Sequence, residues 1–562
     1  MNLEPVRQKV KNMSKIKISI VVVSASIAIL LLSCGSSSDR YRRDGATVAE
    51  SPKKAEMERF QLSAPPMPAA VPSFTRDQRY NPNFNTEAYS KIDENEFLSP
   101  EKSPLSTFSA DVDTASYSNV RRFLNDGTLP PQDAVRIEEM INYFRYDYAA
   151  PAGDAPFATS VELAASPWNP KNRILRIGIA GKNINAKELP PRNIVFLIDV
   201  SGSMFSEDKL PLLKRSIKLL VNQLNEKDTV SIAVYAGASG LALPPTSGAD
   251  KSRIISSLDE LDAGGSTNGG EGIQLAYRVA RERFQKGGIN RVILATDGDF
   301  NVGTTDEGSL IRLIEKERES GIFLTVIGFG SGNLKDATME KLADKGNGNY
   351  AYIDTIAEAN KVLVEEAGST LVTIAKDVKF QVEFNPRRVA SYRLIGYENR
   401  IMKAEDFNDD TKDAGEIGAG HMVTALYEIV PVGGASGAGS VDPLKYQSAA
   451  PTPAADTEEI ATVKIRYKKP DGIKSELLSF PVMSADKKFE DASADFRFAS
   501  SVAAFGMLLR DSKFKGNATY DLAYRIADGA KGSDRLGYRS EFLKLIRQAQ
   551  KLRPSSVKEN GD

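Results

Sequence analysis

One cysteine, one histidine and one tryptophan in 562 residues exclude much before any motif is read. The single thiol, Cys34, cannot close an intrachain disulfide, so stability has to come from packing, with a bound metal as the further source. The lone histidine, His421, leaves no Cys/His cluster for zinc. A Ser-His-Asp catalytic unit would have to use His421, and no nucleophile-elbow motif accompanies it. No Gly-x-x-x-x-Gly-Lys-Ser/Thr loop is present, which argues against a P-loop nucleotide enzyme. Neither sign of charge is in excess, with 73 basic against 74 acidic residues, and no basic stripe interleaved with aromatics suggests nucleic acid. What is abundant is apolar material, 41% of the chain, spread over a length that implies two or three domains.

The apolar run from Ile18 to Leu32 is about 15 residues, short of the roughly 20 that a membrane-spanning helix needs. With Lys15 and Lys17 before it and a small residue before Cys34, it reads as a secretory signal over residues 1–33, with Met13 as an alternative start. Leu31-Leu32-Ser33-Cys34 resembles the bacterial lipobox, although Leu32 departs from the small residue usual there. That resemblance implies cleavage before Cys34 and lipidation of Cys34 itself; a single-pass anchor is the alternative. Gly35 stands where an aspartate tends to hold Gram-negative lipoproteins at the inner membrane, so the resemblance favours the outer membrane, on either its periplasmic or its surface face. Losing residues 1–33 removes five basic groups and one acidic group, taking the net charge from −1 to about −5. Residues 34–95 are polar and broken by Pro65, Pro66, Pro68, Pro72 and Pro82, the composition of a flexible tether.

Further on, the apolar run Ile194-Val195-Phe196-Leu197-Ile198 gives way directly to Asp199-Val200-Ser201-Gly202-Ser203. A buried strand therefore ends in three oxygen-bearing side chains at alternate positions. One carboxylate and two hydroxyls suit a hard divalent cation and leave most of its shell to other loops, water and a ligand. Thr267, in the Gly-rich loop 264–270, and Asp297, after Val292-Ile293-Leu294-Ala295, offer further oxygens at strand-to-loop or loop-to-helix points. In a doubly wound sheet such points gather at the carboxyl edge, where ligands bind. A lone Asp-x-Ser-x-Ser has a plainer alternative as a helix cap.

With Asp-x-Ser-x-Ser, a distant Thr and a distant Asp all in order, the chain resembles the von Willebrand factor A-domain family and its metal-ion-dependent adhesion site. The resemblance implies that Ser201, Ser203 and Thr267 offer hydroxyls to the ion and that Asp199 and Asp297 act largely through bound water. One position stays open for a partner's carboxylate. Mg²⁺ is the expected ion, with Ca²⁺ or Mn²⁺ as alternatives. Residues 107–117, Leu129-Pro130-Pro131 and residues 136–144 also resemble the amino-terminal extension of bacterial lipoproteins that carry this domain.

Periodicity organises the rest. Asp113 is expected to cap a helix through Leu124, and Pro131 to open another that carries Val135, Ile137, Met140, Ile141 and Phe144. A second ion site at Asp111 and Asp113 is the weaker reading of that pair. Strand-like runs around Val161-Glu162-Leu163 and Ile174–Ile177 flank the turn-rich Pro167-Trp168-Asn169-Pro170, and together residues 96–190 form an N-terminal region. Residues 191–371 alternate strand and helix, with one helical face on Leu210, Leu213, Ile217, Leu220, Val221 and Leu224 and another on Ile273, Ala276, Tyr277, Ala280 and Phe284. That alternation implies a mainly parallel sheet covered on both faces. In 372–490 the period changes to two, at Val378, Phe380, Val382 and Phe384 and at Val463, Ile465 and Tyr467, which marks half-buried antiparallel strands. Gly433–Gly439 and Pro451–Ala455 read as a low-complexity excursion. Residues 491–562 close with helices carrying Phe498, Val502, Phe505 and Leu509, and Tyr538, Phe542, Leu545, Ile546 and Ala549. The expected fold class is therefore α/β, a doubly wound sheet inserted in or flanked by a β-sandwich, with a C-terminal helical segment.

Asp406 to Glu416 places acidic or amide groups at positions 1, 3 and 5 of a calcium-like loop. Thr411 stands where the sharp-turn glycine belongs and Ile417 where the bidentate glutamate belongs, so a solvated turn is the better reading. The function these features imply is a lipid-anchored envelope protein that is not an enzyme and binds an acidic group of a protein or glycan partner through a divalent ion. The alternative is a structural or assembly factor in which the ion mainly holds loops together. A hydrolase dependent on His421 or on the ion has nothing in the sequence to recommend it.

Overall fold

A computed structural model of the chain describes residues 85–553 apart from 111–112, 185–188, 266–268, 299–306, 367–371, 435–436, 440–450 and 471. The signal, Cys34 and nearly all of the tether lie outside the described residues, as do Asp111, Thr267 and part of the 433–439 excursion.

The described chain opens with β1 (Leu105–Ser109), α1 (Ala115–Asn125), α2 (Ile137–Asn142), β2 (Phe157–Ala165) and β3 (Arg173–Gly181). A central α/β layer follows. Its elements are β4 (Arg192–Asp199), α3 (Leu210–Asn222), β5 (Thr229–Tyr235), β6 (Ser239–Ser247), α4 (Lys251–Asp259), α5 (Gly269–Glu282) and β7 (Ile289–Thr296), then α6 (Glu307–Glu319), β8 (Phe323–Phe329), α7 (Asp336–Lys345), β9 (Tyr350–Ile353) and α8 (Ile356–Asn360). The chain returns through β10 (Thr373–Phe384), β11 (Val389–Ile395), β12 (Ile401–Met402), β13 (Gly415–Gly418), β14 (Met422–Pro431), β15 (Glu459–Lys468) and β16 (Ser475–Met483). It finishes in α9 (Ala494–Arg510), α10 (Tyr520–Gly529) and α11 (Tyr538–Leu552).

In the central sheet the strand order is β6-β5-β4-β7-β8-β9, parallel throughout except for the antiparallel edge strand β6. Strand β4 is an unbroken apolar run because helices cover it on both sides. Phe196 and Ile198 face α3, while Val195 and Leu197 face α5. Helix α3 buries Leu210, Leu213, Ile217, Leu220 and Val221 as its spacing requires, with Pro211 tolerated in the first turn. Helix α5 departs from expectation at one end: it stops at Glu282, and Phe284, which the spacing puts on its apolar face, is 45% exposed.

Strands from before and after this layer share two further sheets, β12-β1-β10-β15-β16, with β13 also on β10, and β11-β14-β3-β2. Their facing sides make one apolar core, with Phe108 stacked on Phe380 at 4.9 Å and Ile177, Tyr392 and Tyr427 opposite. The α/β layer is thus inserted into a β-sandwich built from both flanks. Strand β10 is not half-buried. Lys379 and Gln381 on its outer face are covered as well, because the turn 404–409 folds over them and offers its carbonyls to both side chains. The amino-terminal helices and the carboxyl-terminal ones, separate in sequence, form a single helical core of α1, α2, α9, α10 and α11 that also takes in Trp168 from the turn between β2 and β3.

Asp113 is not a helix cap. Thr114 occupies the cap position of α1, while the Asp113 carboxylate accepts the Tyr350 amide at 2.7 Å and pairs with Arg400 at 3.2 Å. It belongs to a buried charge network that fastens the α/β layer to its surroundings. Arg136, ahead of α2, pairs with Asp336 at the start of α7 and with Glu139, while Arg400 reaches Glu340 and Asp344. On the other side, Arg121 of α1 holds Asp354 and Glu358.

Candidate metal centre

Strand β4 delivers Asp199 to the carboxyl edge of the central sheet, and its neighbours finish there too, β5 at Tyr235 and β7 at Thr296. Burial forces every oxygen of Asp199 to find a partner. Its Oδ1 accepts the Ser201 amide at 2.9 Å, and its Oδ2 accepts the hydroxyls of Tyr235 and Thr296, both at 3.1 Å. Burial nevertheless pushes the Asp199 carboxyl up to about 6, with the nearby Asp297 charge adding to the rise against the hydrogen bonds from Ser201 and Tyr235. The same burial, together with the Asp199 charge, holds the Tyr235 phenol well above its ordinary value.

The short turn Gly202–Phe205 after the strand alternates its side chains. Met204 is buried in the core and Phe205 is 81% exposed, while the Ser201 and Ser203 hydroxyls lie 3.1 Å apart. Adjacent oxygens in an octahedral Mg²⁺ shell are about 2.9 Å apart, so this pair is spaced as two ligands of one hard cation would be. The Gly-rich loop is tied to the same turn, since the Gly202 amide donates to the Gly265 carbonyl at 3.1 Å and the Gly264 amide to the Val200 carbonyl at 2.7 Å. Thr267 itself falls outside the described residues.

Asp297, fully buried, sits one residue beyond β7 and accepts the Lys209 ammonium on Oδ2 at 2.9 Å. Lys209 also reaches Asn333 Oδ1 at 3.0 Å. Burial alone would raise the Asp297 carboxyl; the Lys209 charge and hydrogen bonds from Asn333, Lys209 and Ser203 outweigh it and hold the group below the ordinary range. Gly298 cannot be substituted freely, because its backbone is left-handed (φ +100) and a side chain there would meet the Lys335 amide at 2.6 Å.

The structure therefore brings Asp199, Ser201, Ser203 and Asp297 to one edge, and these four oxygen donors have the chemistry to hold a hard divalent cation. Sequence reasoning missed Lys209, Asn333, Tyr235, Thr296 and Phe205. One signal for Lys209 was available: a cation at the amino-terminal end of α3 opposes the helix dipole, so it needs a carboxylate elsewhere.

The remaining candidates have other occupations. In 406–416 no calcium cradle forms; Lys379 and Lys468 direct their ammoniums at the carbonyls of Asp406, Asp409 and Asp410, and Asp409 turns back on Thr411. His421 is half-buried, and burial lowers its pKa. It lines a cavity of about 50 Å³ with Asp113, Asn142 and Tyr350, and that described lining contains no serine or cysteine to act as a nucleophile. Asp113, Glu139 and Glu340 converge closely enough for a metal, but each already receives an arginine from the network above.

Three family models match the chain: "von Willebrand factor" over residues 83–176, "von Willebrand factor type A domain" over 193–366, and "Uncharacterized protein YfbK, C-terminal" over 369–552. The "Uncharacterized protein YfbK" of Escherichia coli (strain K12) is 48% identical over 475 residues, covering 83% of this chain and 82% of that protein. Human "Inter-alpha-trypsin inhibitor heavy chain H4" is 29% identical over 161 residues, 27% of this chain and 17% of that protein. Among solved structures, "von Willebrand factor type A from Catenulispora acidiphila" is 14% identical with a TM-score of 0.39, covering 72% of this chain and 91% of that one. BatB from Bacteroides thetaiotaomicron is 25% identical with a TM-score of 0.27, covering 31% and 96%.

Proposed function

Because the chain belongs to the YfbK family of von Willebrand factor type A proteins, we propose that it is a non-enzymatic binding protein of the bacterial cell envelope. In this reading it is lipid-anchored through Cys34, on the outer membrane, and recognises a protein or glycan partner through a divalent cation, Mg²⁺ in the first place. Asp199, Ser201, Ser203, Asp297 and Thr267 would hold the ion. The observation that carries the reading is the pair of hydroxyls at 3.1 Å beside two buried carboxylates, at the sheet edge where ligands bind.

When bound, the ion supplies positive charge toward an acidic group of the partner. The chain's own residues do the rest. Tyr235 and Thr296 fix the orientation of Asp199, Lys209 and Asn333 fix that of Asp297, and Phe205 offers an apolar contact beside them. Binding is then metal-dependent and reversible by chelation. The test is retention of a partner from envelope extract on the immobilised chain, with Mg²⁺ and with chelator, for wild type and Ser203→Ala. Retention that persists under chelation, with the fold intact, would sink the reading.

A second reading, an envelope assembly factor, is favoured by the buried arginines that lock the α/β layer into the sandwich and the helical core. Ser203→Ala and Thr267→Ala separate the two. If metal binding fails while assembly and folding persist, assembly does not depend on the ion and metal-dependent recognition is not the main role.

A further inference from the structure

We propose that Lys209 is a specificity-determining residue of the cation site, a resident positive charge that weakens capture of the bare ion and makes its retention depend on an anionic ligand. This rests on the reading of Asp199, Ser201, Ser203 and Asp297 as a cation site. The lysine is 3% exposed, and its ammonium is fixed between Asp297 at 2.9 Å and Asn333 at 3.0 Å. It is also housed on purpose: Gly330 has a left-handed backbone (φ +72), and any side chain there would collide with the Lys209 methylenes.

The consequence is electrostatic. Two buried carboxylates and one buried ammonium leave the site a single negative charge, so a divalent cation turns it positive. In a partly buried place that surplus is costly. A carboxylate entering the open position of the shell neutralises it. Without Lys209 the two aspartates would balance the ion alone, and the site would hold metal tightly with little demand for a ligand. Lys209 thus couples the two binding events, and it selects ligands that bring a negative charge, such as an aspartate or glutamate side chain or an acidic sugar.

The experiment titrates Mn²⁺ into the full chain, alone and in saturating acetate, and reads affinity by calorimetry and by the spin resonance of free Mn²⁺. Wild type is expected to bind weakly and to gain several-fold from acetate. Lys209→Met, neutral and close in shape, is expected to bind Mn²⁺ about tenfold more tightly or better and to lose most of the acetate effect. Lys209→Gln, which keeps a donor toward Asp297 and Asn333, is carried in parallel in case the methionine variant does not fold. A lysine with a merely structural role predicts the reverse, weaker binding in both. Equal or weaker Mn²⁺ affinity in a folded variant, with Ser203→Ala still abolishing binding in the wild-type background, overturns the role of Lys209 and leaves the cation site standing. Absence of Mn²⁺ binding by wild type and variants alike overturns both.

Discussion

Replacing Arg136 by methionine tests whether the α/β layer is held in place by charge or only by packing. Arg136 donates to Glu139 and, with both terminal nitrogens, to Asp336, and it lies 3.8 Å from Glu340. The side chains of all four are at most 10% exposed. Without it, Glu139 and Asp336 lose their arginine, while Arg400 stays paired with Asp113, Glu340 and Asp344. Removing one member of a buried pair strands a charge at about 3–5 kcal/mol, and the methionine returns only part of that through its apolar contacts. The assay is urea unfolding followed through Trp168, the only tryptophan, which is 1% exposed in the helical core that Arg136 adjoins. For a unit this size the loss corresponds to a midpoint lower by roughly 1 M. The sign with pH is fixed as well. Burial already holds Glu139 above the ordinary carboxyl range against the lowering influence of Arg136, and losing Arg136 raises it further. A carboxyl with a raised folded-state pKa takes up its proton more readily in the folded chain, so the penalty is absent in acid, grows as pH rises from the ordinary carboxyl range to the raised value, and is complete above it. The deficit of the variant must therefore be larger at pH 8 than at pH 5. An unchanged midpoint, or a deficit that grows toward acid, refutes the reasoning.

Glu138 is buried, has no hydrogen-bond partner on Oε2 among the described residues, and is pushed up to about 7 by burial and then by the Glu398 charge. Its burial penalty sets in as pH rises from the ordinary carboxyl range through 7, so Glu138→Gln should raise the urea midpoint at pH 8 and change it little at pH 5; equal shifts at both would refute this. Gly330→Ala combines a left-handed backbone with a collision against Lys209 and should cost about 1–3 kcal/mol, whereas Gly332→Ala, left-handed but with open space around it, should cost about 1 kcal/mol; thermal unfolding ranks them. Phe205→Ala should leave melting and Mn²⁺ affinity unchanged while weakening partner retention severalfold, because the ring is 81% exposed and touches the ion site only through the chain. A drop in melting temperature would mean that the ring is structural.

Legibility in the sequence followed the distance between partners. The strand ends of the central sheet were readable because each carries its signal within a few residues, an apolar run followed by an oxygen-bearing loop, and Asp199, Ser201, Ser203 and Asp297 meet at the edge where that pattern puts them. The insertion into a sandwich was readable from strand-like runs on both sides of the α/β layer, at residues 157–180 before it and in the period-two segments after it. Strand β1 was not: Leu105-Ser-Thr-Phe-Ser alternates too weakly to signal a strand, and only its pairing with β10, some 270 residues on, makes it one. The shared helical core was hidden for the same reason: the closing helices pack on one another, but α1, α2 and the turn after them complete that core from hundreds of residues away, with Phe144 against Phe498 and Phe542.

Charge was the least legible property. A carboxylate in a sequence looks the same whether it is solvated or buried, and the first guess is a local one, a cap or a turn. Asp113 was read as a cap when its partners are Tyr350 and Arg400, and Arg136 carries no sign that it belongs to Asp336, 200 residues away. Lys209 is the instructive exception. It lies ten residues after Asp199 and looks like the start of a helix, yet a cation is unfavourable there, and that local conflict has a distant explanation in Asp297. A residue that breaks a local rule inside an otherwise consistent element is where a long-range partner should be sought. Here the partner is a member of the candidate site, which makes the broken rule part of how that site balances its charge.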